Sequence, residues 1–270
     1  MPKLFRSGDD VRVVKCDTEN EPRFRRAGAF ETVIEPVLEV IACSVADAIE
    51  AHKGGAKRLE VVRNLEQGGL TPSIELVAAI KNTVDLPLRV MLRENVGFER
   101  NGEEEIRTLS SAAEQFSKLG IDGVVIGFLK EHRVDIELVR RVLARVPGLK
   151  VTFHHAFEET RNQFEALRDI KAIRQVDRIL SSGGAGDIQQ RTERLAAYAD
   201  GAAPEITILA GGGINSEAIA LLRRTTVIRE FHVGRAARSG FRVDGEVKAE
   251  LVMKLVQVIQ ESHEKHVRSL

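Results

Sequence analysis

From residue 37 onward the chain alternates short apolar runs with longer amphipathic stretches. The apolar runs predict β-strands at residues 37–43, 58–62, 87–93, 123–128, 150–154, 177–181, 206–210 and 229–233. A stretch with helical periodicity follows each run, at residues 45–53, 74–83, 103–119, 135–146, 161–173, 187–198, 216–224 and 245–267. Because a repeated strand–helix unit is typical of a closed parallel barrel, we predict an α/β fold of the (β/α)8 TIM-barrel class over residues 37–270.

Five of the predicted helices are preceded by a residue type that caps helix N-termini. These residues are Ser44, Ser73, Asp135, Asp187 and Asn215. Acidic residues often follow in the first turn, where they interact favourably with the helix dipole.

Residues 1–36 lack the alternation. They are mixed in charge and contain three of the seven prolines, Pro2, Pro22 and Pro36. We predict an N-terminal extension that covers one end of the barrel, contacts another subunit or stays partly mobile.

Composition narrows the class of protein. The 40 Lys and Arg balance the 40 Asp and Glu, which argues against a protein that coats nucleic acid. Aromatic residues are scarce (11 Phe, 1 Tyr and no Trp), as suits parallel strands that bury branched aliphatic side chains on both faces. Cys16 and Cys43 are the only cysteines, so we exclude a disulfide framework. No apolar run is long enough for a secretory signal or a membrane span, and we expect a cytoplasmic protein with neither nucleic-acid nor membrane partners.

Two carboxylates interrupt the first two predicted strands. Glu39 lies within VLEVIA and Glu60 within RLEVV. Strand alternation places each of them on one face with its apolar i+2 neighbour, and a carboxylate in a barrel interior is costly unless it is paired. One interpretation is a structural ion pair with Arg89 or Arg93 of the third strand. The other is an acid or base with a raised pKa.

Two further polar residues stand at predicted strand ends, where TIM barrels carry their reactive groups. Arg93 ends the third strand and is suited to anchor a carboxylate or phosphate. His154 ends the fifth strand and shares its parity with Thr152, so it becomes the best candidate for proton transfer if that parity faces inward. Its neighbour His155 would then point to the opposite face, and the pair would be a poor metal clamp.

Glycine-rich turns follow the sixth, seventh and eighth predicted strands. Turns of this kind present backbone N–H groups to anions, and barrels often bind phosphate after strands 7 and 8. The predicted substrate- or phosphate-binding residues are Ser181, Gly183, Gly212, Gly213, Gly234 and Arg235. A tight turn alone would also favour glycine.

Several segments between residues 37 and 240 together resemble the CutC family, which is named for copper homeostasis. They are LEVIACS, AKRLEVV with the EQGGLTPS loop, TFHHAF, ILSSGG, ILAGGGIN and EFHVGRAA. The resemblance implies a cytosolic, commonly oligomeric TIM barrel that is associated with copper tolerance and Cu(I) binding. The family's two glutamates match Glu39 and Glu60, its strand-3 arginine matches Arg93, and its strand-5 histidine matches His154.

The chain departs from the better-known family pattern at the cysteine positions. Where that pattern is rich in cysteine, this sequence has Ile41, Ala42 and Val62. Cu(I) favours thiolate and thioether ligands, so no soft-ligand site is evident. The candidate metal ligands that remain are weak ones, namely Cys43, His155 and His232.

The residues support two functions of different kinds. In the first, Glu39, Glu60, Arg93 and His154 perform acid/base chemistry of the isomerase or carbon–carbon lyase type on a small anionic substrate, with or without a phosphate group. No lysine stands at a predicted strand end, which disfavours a Schiff base. In the second, the protein binds Cu(I) without catalysis. A divalent cation held by Glu39 and Glu60 is compatible with the first; no cofactor is firmly implied, and copper enters only through the family name.

Overall fold

The structure, a computed structural model, describes residues 35–267, with side chains as far as residue 261. Within the described residues, eight parallel strands form one closed barrel. They are β1 (Val37–Ala42), β2 (Arg58–Val61), β3 (Leu88–Met91), β4 (Gly123–Ile126), β5 (Lys150–Phe153), β6 (Val176–Ser181), β7 (Thr207–Ala210) and β8 (Glu230–Val233). The barrel closes by the pairing of β1 with β8, and the predicted TIM-barrel class is confirmed.

A helix follows each strand of the barrel in the described part of the chain. The helices are α1 (Val45–Lys53), α2 (Ile74–Thr83), α3 (Gly102–Lys118), α4 (Ile136–Leu143), α5 (Gln163–Lys171), α6 (Ile188–Ala202), α7 (Ser216–Thr225) and α8 (Ala249–Val267). A two-stranded hairpin, Leu129–Lys130 with Arg133–Val134, lies between β4 and α4. No described helix combines the length and apolar character that a membrane crossing requires. The predicted extension at residues 1–36 falls almost entirely outside the described residues and stays a prediction.

Helix boundaries follow the local capping chemistry. All five predicted N-caps accept a hydrogen bond from a backbone N–H of the first turn, which satisfies donors that the helix leaves open. The last helix differs from its prediction, since it begins at Ala249 rather than at residue 245. The preceding loop is held in place by Arg238, whose guanidinium donates to Asp47 and to the backbone oxygen of Ile41.

Apolar side chains form two layers. The larger cluster fills the space between the strands and the helices, and Leu38, Val40 and Leu59 belong to it. The smaller cluster contains Ile41, Val62, Met91 and Val125. Strand alternation places successive residues of β1 on opposite faces, so Glu39 lies on the face of Ile41, inside the barrel.

The amino-terminal half of the barrel interior is charged and paired throughout. Arg58 donates to Glu39 and, at 2.6 Å, to Glu230. Arg178 makes two hydrogen bonds with the same Glu230, at 2.7 and 3.0 Å. These are geometries in which several donors share a buried carboxylate, as a buried charge requires.

The expected ion pair between Arg89 and a strand glutamate is wrong. Arg89 is fully buried and donates to Asp122 at 2.8 Å and to both oxygens of Asp177 at 2.8 and 2.9 Å. Its guanidinium packs against Gly123, where a Cβ would lie only 2.9 Å from Arg89 Nη1. Arg89 therefore pairs with two carboxylates at the starts of β4 and β6, namely Asp122 and Asp177.

Candidate active site

A cavity of about 760 Å³ opens at the carboxyl-terminal end of the barrel strands. Many of the predicted site residues line it, namely Glu60, Arg93, His154, His155, Gly212, Gly213, His232, Gly234 and Arg235. The remaining wall is largely apolar and includes Ile41, Met91, Leu180 and Ile214. A volume of this size suits a small organic ligand.

Glu39 lies beneath the cavity and orients His232. The Nδ1 atom of His232 is 2.7 Å from Glu39 Oε1, while the other Glu39 oxygen accepts from Arg58. Burial alone would raise the pKa of Glu39, but the charge of Arg58 and the bond with His232 hold it well below its usual range. A permanent carboxylate at this place keeps a proton on His232 Nδ1, so that Nε2 is the ring nitrogen left for other partners.

Glu60 is buried beside the free edge of that histidine. One carboxylate oxygen, Oε2, lies 3.7 Å from His232 Nε2, and the other, Oε1, has no hydrogen-bond partner among the described residues. Burial raises the pKa of Glu60, although the charge of His232 opposes the shift. Burial lowers the pKa of His232, and the charges of Glu60 and Glu39 outweigh it and raise that pKa. The two groups are therefore suited to exchange a proton.

His154 sits in the cavity wall as a neutral ring. Its Nδ1 accepts from the backbone N–H of Ala156 at 3.1 Å, so the neutral ring carries its proton on Nε2. Burial lowers the pKa of His154 to about 3, and the nearby Arg93 charge adds to this. The ring packs against the backbone of Gly127, where a Cβ would lie 2.7 Å from Nδ1. His154 is consequently a hydrogen-bond donor at neutral pH rather than the proton acceptor that its position at a strand end suggested.

Arg93 brings a positive charge to the cavity that no described carboxylate neutralises. Its guanidinium lies 4.9 Å from the centre of the Phe98 ring and donates to the backbone oxygens of Gly68 and Val96. Its Nε is buried without a partner, and burial lowers the pKa of Arg93. Arg235 is exposed at the same cavity and forms no ion pair with any residue described in the structure. Two cations are thus available to an anionic ligand.

The turn after β6 binds a carboxylate of the chain itself. Glu158 Oε1 accepts from the Ser181 hydroxyl at 2.8 Å, from the Ser182 N–H at 2.5 Å and from the Ser182 hydroxyl at 2.8 Å. It also lies 3.3 Å from the backbone nitrogen of Gly184. Neither Ser181 nor Gly183, predicted to bind substrate or phosphate, lines the cavity. The anion that this turn holds is internal, and the glycines that face the cavity belong to the turns after β7 and β8.

His155 also faces the cavity, and the expectation that adjacent histidines diverge is wrong. Strand β5 ends at Phe153, His154 caps a short 3₁₀ helix, and His155 is the first residue of that helix (His155–Glu159). Alternation holds only while the chain is extended. The helical turn brings Glu158 to His155, with Nδ1 3.3 Å from Oε2. Sequence reasoning missed Glu158, although its i, i+3 spacing from a histidine is a contact distance on a helix.

One group of side chains among the described residues could hold a metal ion. Ligand atoms of Glu39, Glu60 and His232 lie within 4.8 Å of one another. Two carboxylates and an imidazole suit a divalent cation rather than Cu(I), which prefers sulfur.

Cys43 does not add a thiolate to this group. Burial raises the pKa of its thiol to about 11, and its sulfur lies 3.6 Å from Arg238 Nη2, outside the lining of the cavity. The two carboxylates and the imidazole of this group therefore do not suit Cu(I).

Comparison with known proteins agrees with this barrel. The model of the CutC family matches residues 36–237. The CutC family protein of Xylella fastidiosa (strain Temecula1) is 36% identical over 203 residues, which is 75% of this chain and 75% of the relative. The solved structure of a CutC protein from Streptococcus agalactiae superposes with a TM-score of 0.68 and 25% identity, covering 73% of this chain and 97% of that one.

A phosphoribosyl anthranilate isomerase from Thermococcus kodakaraensis, 15% identical, shares the fold with a TM-score of 0.57 over 83% of this chain and 99% of that one. At that identity the likeness concerns the barrel alone. The family match covers most of the described barrel, including the strand ends that line the cavity. The chain therefore belongs to the CutC family.

Proposed function

We propose that this CutC-family protein is an enzyme that performs acid/base chemistry, of the isomerase or carbon–carbon lyase type, on a small anionic substrate bound in the cavity. One observation carries the proposal. Glu60 lines the cavity beside the Nε2 edge of His232, and its buried oxygen Oε1 has no hydrogen-bond partner among the described residues.

The free-energy cost of burying the unpartnered Glu60 oxygen supports a functional role for this carboxylate. A buried, unpartnered carboxylate oxygen loses hydration without compensation, which is typically worth a few kcal/mol. Carboxylates with raised pKa values in clefts are characteristic of proton-transfer sites. At the opposite end of the same barrel every interior carboxylate described above has an arginine partner, so the chain can pair such groups where structure alone is at stake.

The surrounding groups supply the other parts of a proton transfer next to a carbonyl. Arg93 and Arg235 bind the anionic group of the substrate. The Nε2–H of neutral His154 donates to the carbonyl oxygen and stabilises the negative charge that develops there. The Glu60–His232 pair removes the proton from the adjacent carbon and returns it, while Glu39 holds His232 in position.

The cavity also limits the kind of substrate. No lysine lines it among the described residues, so an enolate mechanism is favoured over a Schiff base. Exposed Phe241 and neighbouring Val243 border it with apolar surface. We therefore expect an anion that carries a carbonyl and a hydrocarbon part, with a phosphate or a carboxylate as the anionic group.

Hydrogen–deuterium exchange tests the proposal without knowledge of the final product. The protein is incubated in D₂O with ketose phosphates and 2-oxo acids, and loss of the C–H signal next to the carbonyl is followed by proton NMR. We expect catalysed exchange for one or more of these compounds. Glu60→Gln should reduce the exchange rate at least about 100-fold, since general acid/base groups contribute about 10²–10⁴.

The matched control is Glu66→Gln, the same substitution at an exposed position on the loop that follows β2. It should exchange at the wild-type rate. Absence of exchange with every compound, or equal rates in Glu60→Gln and wild type, contradicts the proposed function.

A further inference from the structure

We infer that the cavity contains a second carboxylate-oriented histidine, His155 held by Glu158, which serves as a proton-transfer residue across the cavity from His232. The catalytic meaning of this pair depends on the proposed function, whereas its geometry does not. The consequence is a reaction with two bases, in which one histidine removes a proton and the other supplies one.

The exposure of His155 shows which ring nitrogen is available. Its Nδ1 atom is fully buried and lies 3.3 Å from Glu158 Oε2, although 37% of the side chain is exposed. The exposed part is therefore the opposite edge of the ring, which carries Nε2 and lines the cavity. The Nδ1–Oε2 contact has an ion-pair distance rather than an aligned hydrogen bond, as is common for catalytic pairs before a substrate binds.

Glu158 is fixed as a carboxylate by the turn after β6. Burial raises its pKa, but the contact with His155 and the hydrogen bonds from Ser182 and Ser181 lower it to about 2. All four donors of the turn address Oε1, which leaves Oε2 for His155. The turn itself is held by α6, since Arg191 donates to the backbone oxygens of Ser182 and Gly212.

The two histidines come from different parts of the barrel. His232 belongs to β8 and His155 follows β5, and β7 and β6 lie between these strands in the barrel. Both line one cavity, and in each of them a carboxylate oxygen lies next to Nδ1. Glu60 lies beside the first of them, with Oε2 3.7 Å from His232 Nε2.

This arrangement supports proton transfer at a single carbon with inversion, which is epimerisation or racemisation. One Nε2 takes the proton of the C–H bond next to the carbonyl, and the electron pair moves to the carbonyl oxygen as an enolate. The other histidine, protonated, delivers its proton from the opposite face and forms the new C–H bond. Each histidine then returns to its starting state by exchange with water.

Nitrogen-15 NMR of the histidine side chains tests the orientation of His155 in the protein alone. Signals are assigned to His155 by their loss in His155→Asn. We expect wild-type His155, when neutral, to carry its proton on Nδ1, because the adjacent acceptor sets the tautomer.

Glu158→Gln gives a sharp contrast. The turn donors require an oxygen at the Oε1 position, so the glutamine must present its NH₂ group to His155 and turn Nδ1 into an acceptor. The proton should move to Nε2. Glu159→Gln, at the exposed next residue, is the matched control and should keep the wild-type tautomer. A wild-type ring protonated on Nε2, or one unchanged in Glu158→Gln, overturns the inference.

The exchange assay then tests the two-base reaction with separated epimers of ketose phosphates. His155→Asn and His232→Asn should each reduce the rate of interconversion at least about 100-fold. Each variant should still exchange the proton of one epimer with solvent, and the epimer should differ between the two variants. Interconversion at the wild-type rate in His155→Asn overturns the catalytic role. If no ketose phosphate exchanges at all but the tautomers behave as expected, the proposed function fails and the Glu158–His155 pair stands.

Discussion

The two ends of the barrel use the same side chains in opposite ways. At the amino-terminal end, Arg58 lies between Glu39 and Glu230, and Arg178 also donates to Glu230. At the carboxyl-terminal end, Arg93 has no carboxylate partner among the described residues, and Glu60 Oε1 has no hydrogen bond. The same residue types are thus paired with each other at one end of the barrel and left available to a ligand at the other.

Replacing Arg58 with Met breaks the compensated end and carries the largest expected effect. It leaves Glu39 and Glu230 buried without their shared cation, which typically costs about 3–5 kcal/mol of unfolding free energy. Urea denaturation of wild type and variant measures the loss.

The control is Arg100→Met, which removes an exposed pair with Glu103 and should change stability by less than about 0.5 kcal/mol. Equal effects of the two substitutions would show that the amino-terminal network is not the stabilising one.

Replacing Arg93 with Met tests the uncompensated end. With no carboxylate to strand, the variant should lose under about 1 kcal/mol of stability. Its affinity for inorganic phosphate should fall about 10- to 100-fold, since hydrogen bonds to charged groups are worth about 1.5–3 kcal/mol. Calorimetric titration with phosphate provides the measurement, and Arg107→Met on the outer face of α3 serves as the control. Unchanged phosphate binding in Arg93→Met would remove Arg93 from the anion site.

His154 extends the comparison to pH. Burial lowers the pKa of His154 to about 3. Below about pH 6.5 this histidine therefore binds a proton in the unfolded chain but stays neutral in the folded protein. Stability should therefore fall as the pH drops below about 6.5, by about 2 kcal/mol at pH 5. In His154→Asn, whose amide oxygen can still accept from Ala156, this part of the pH dependence should vanish. Parallel stability curves for the two proteins would mean that His154 is protonated in the folded state.

Cys43 should show the smallest effect. Its protonated thiol lies outside the cavity lining, so Cys43→Ser should leave Cu(I) affinity unchanged in anaerobic competition with a chelator. Stoichiometric Cu(I) uptake by wild type that disappears in Cys43→Ser would instead support copper binding without catalysis. With that outcome, the unpaired Glu60 and Arg93 would no longer support acid/base catalysis.

Local patterning predicts most of the architecture because it acts over a few residues. The strand and helix periods follow from burial of alternate or i, i+3 and i, i+4 positions, and Ser44 or Asn215 cap helices through contacts within one turn. The convergence of Glu60, Arg93 and His154 also follows, since parallel strands place their carboxyl ends at one edge.

The partners of the charged residues could not be predicted in the same way. The sequence favoured Arg89 or Arg93 as the partner of a strand glutamate, whereas Arg58 binds Glu39 and Arg89 binds Asp122 and Asp177. The direction of the His155 side chain depends on where β5 ends. If the extended strand continued through His155, strand alternation would turn this side chain to the opposite face.

The barrel, its capped helices and the set of polar side chains at the strand ends can be read from the amino-acid sequence, because these features depend on periodicity and on contacts close along the chain. Three features required the folded structure: which charges are neutralised, the binding of Glu158 by the turn after β6, and the placement of His155 and His232 at one cavity. Those features depend on distances between residues far apart in the chain, and closure of the barrel sets these distances.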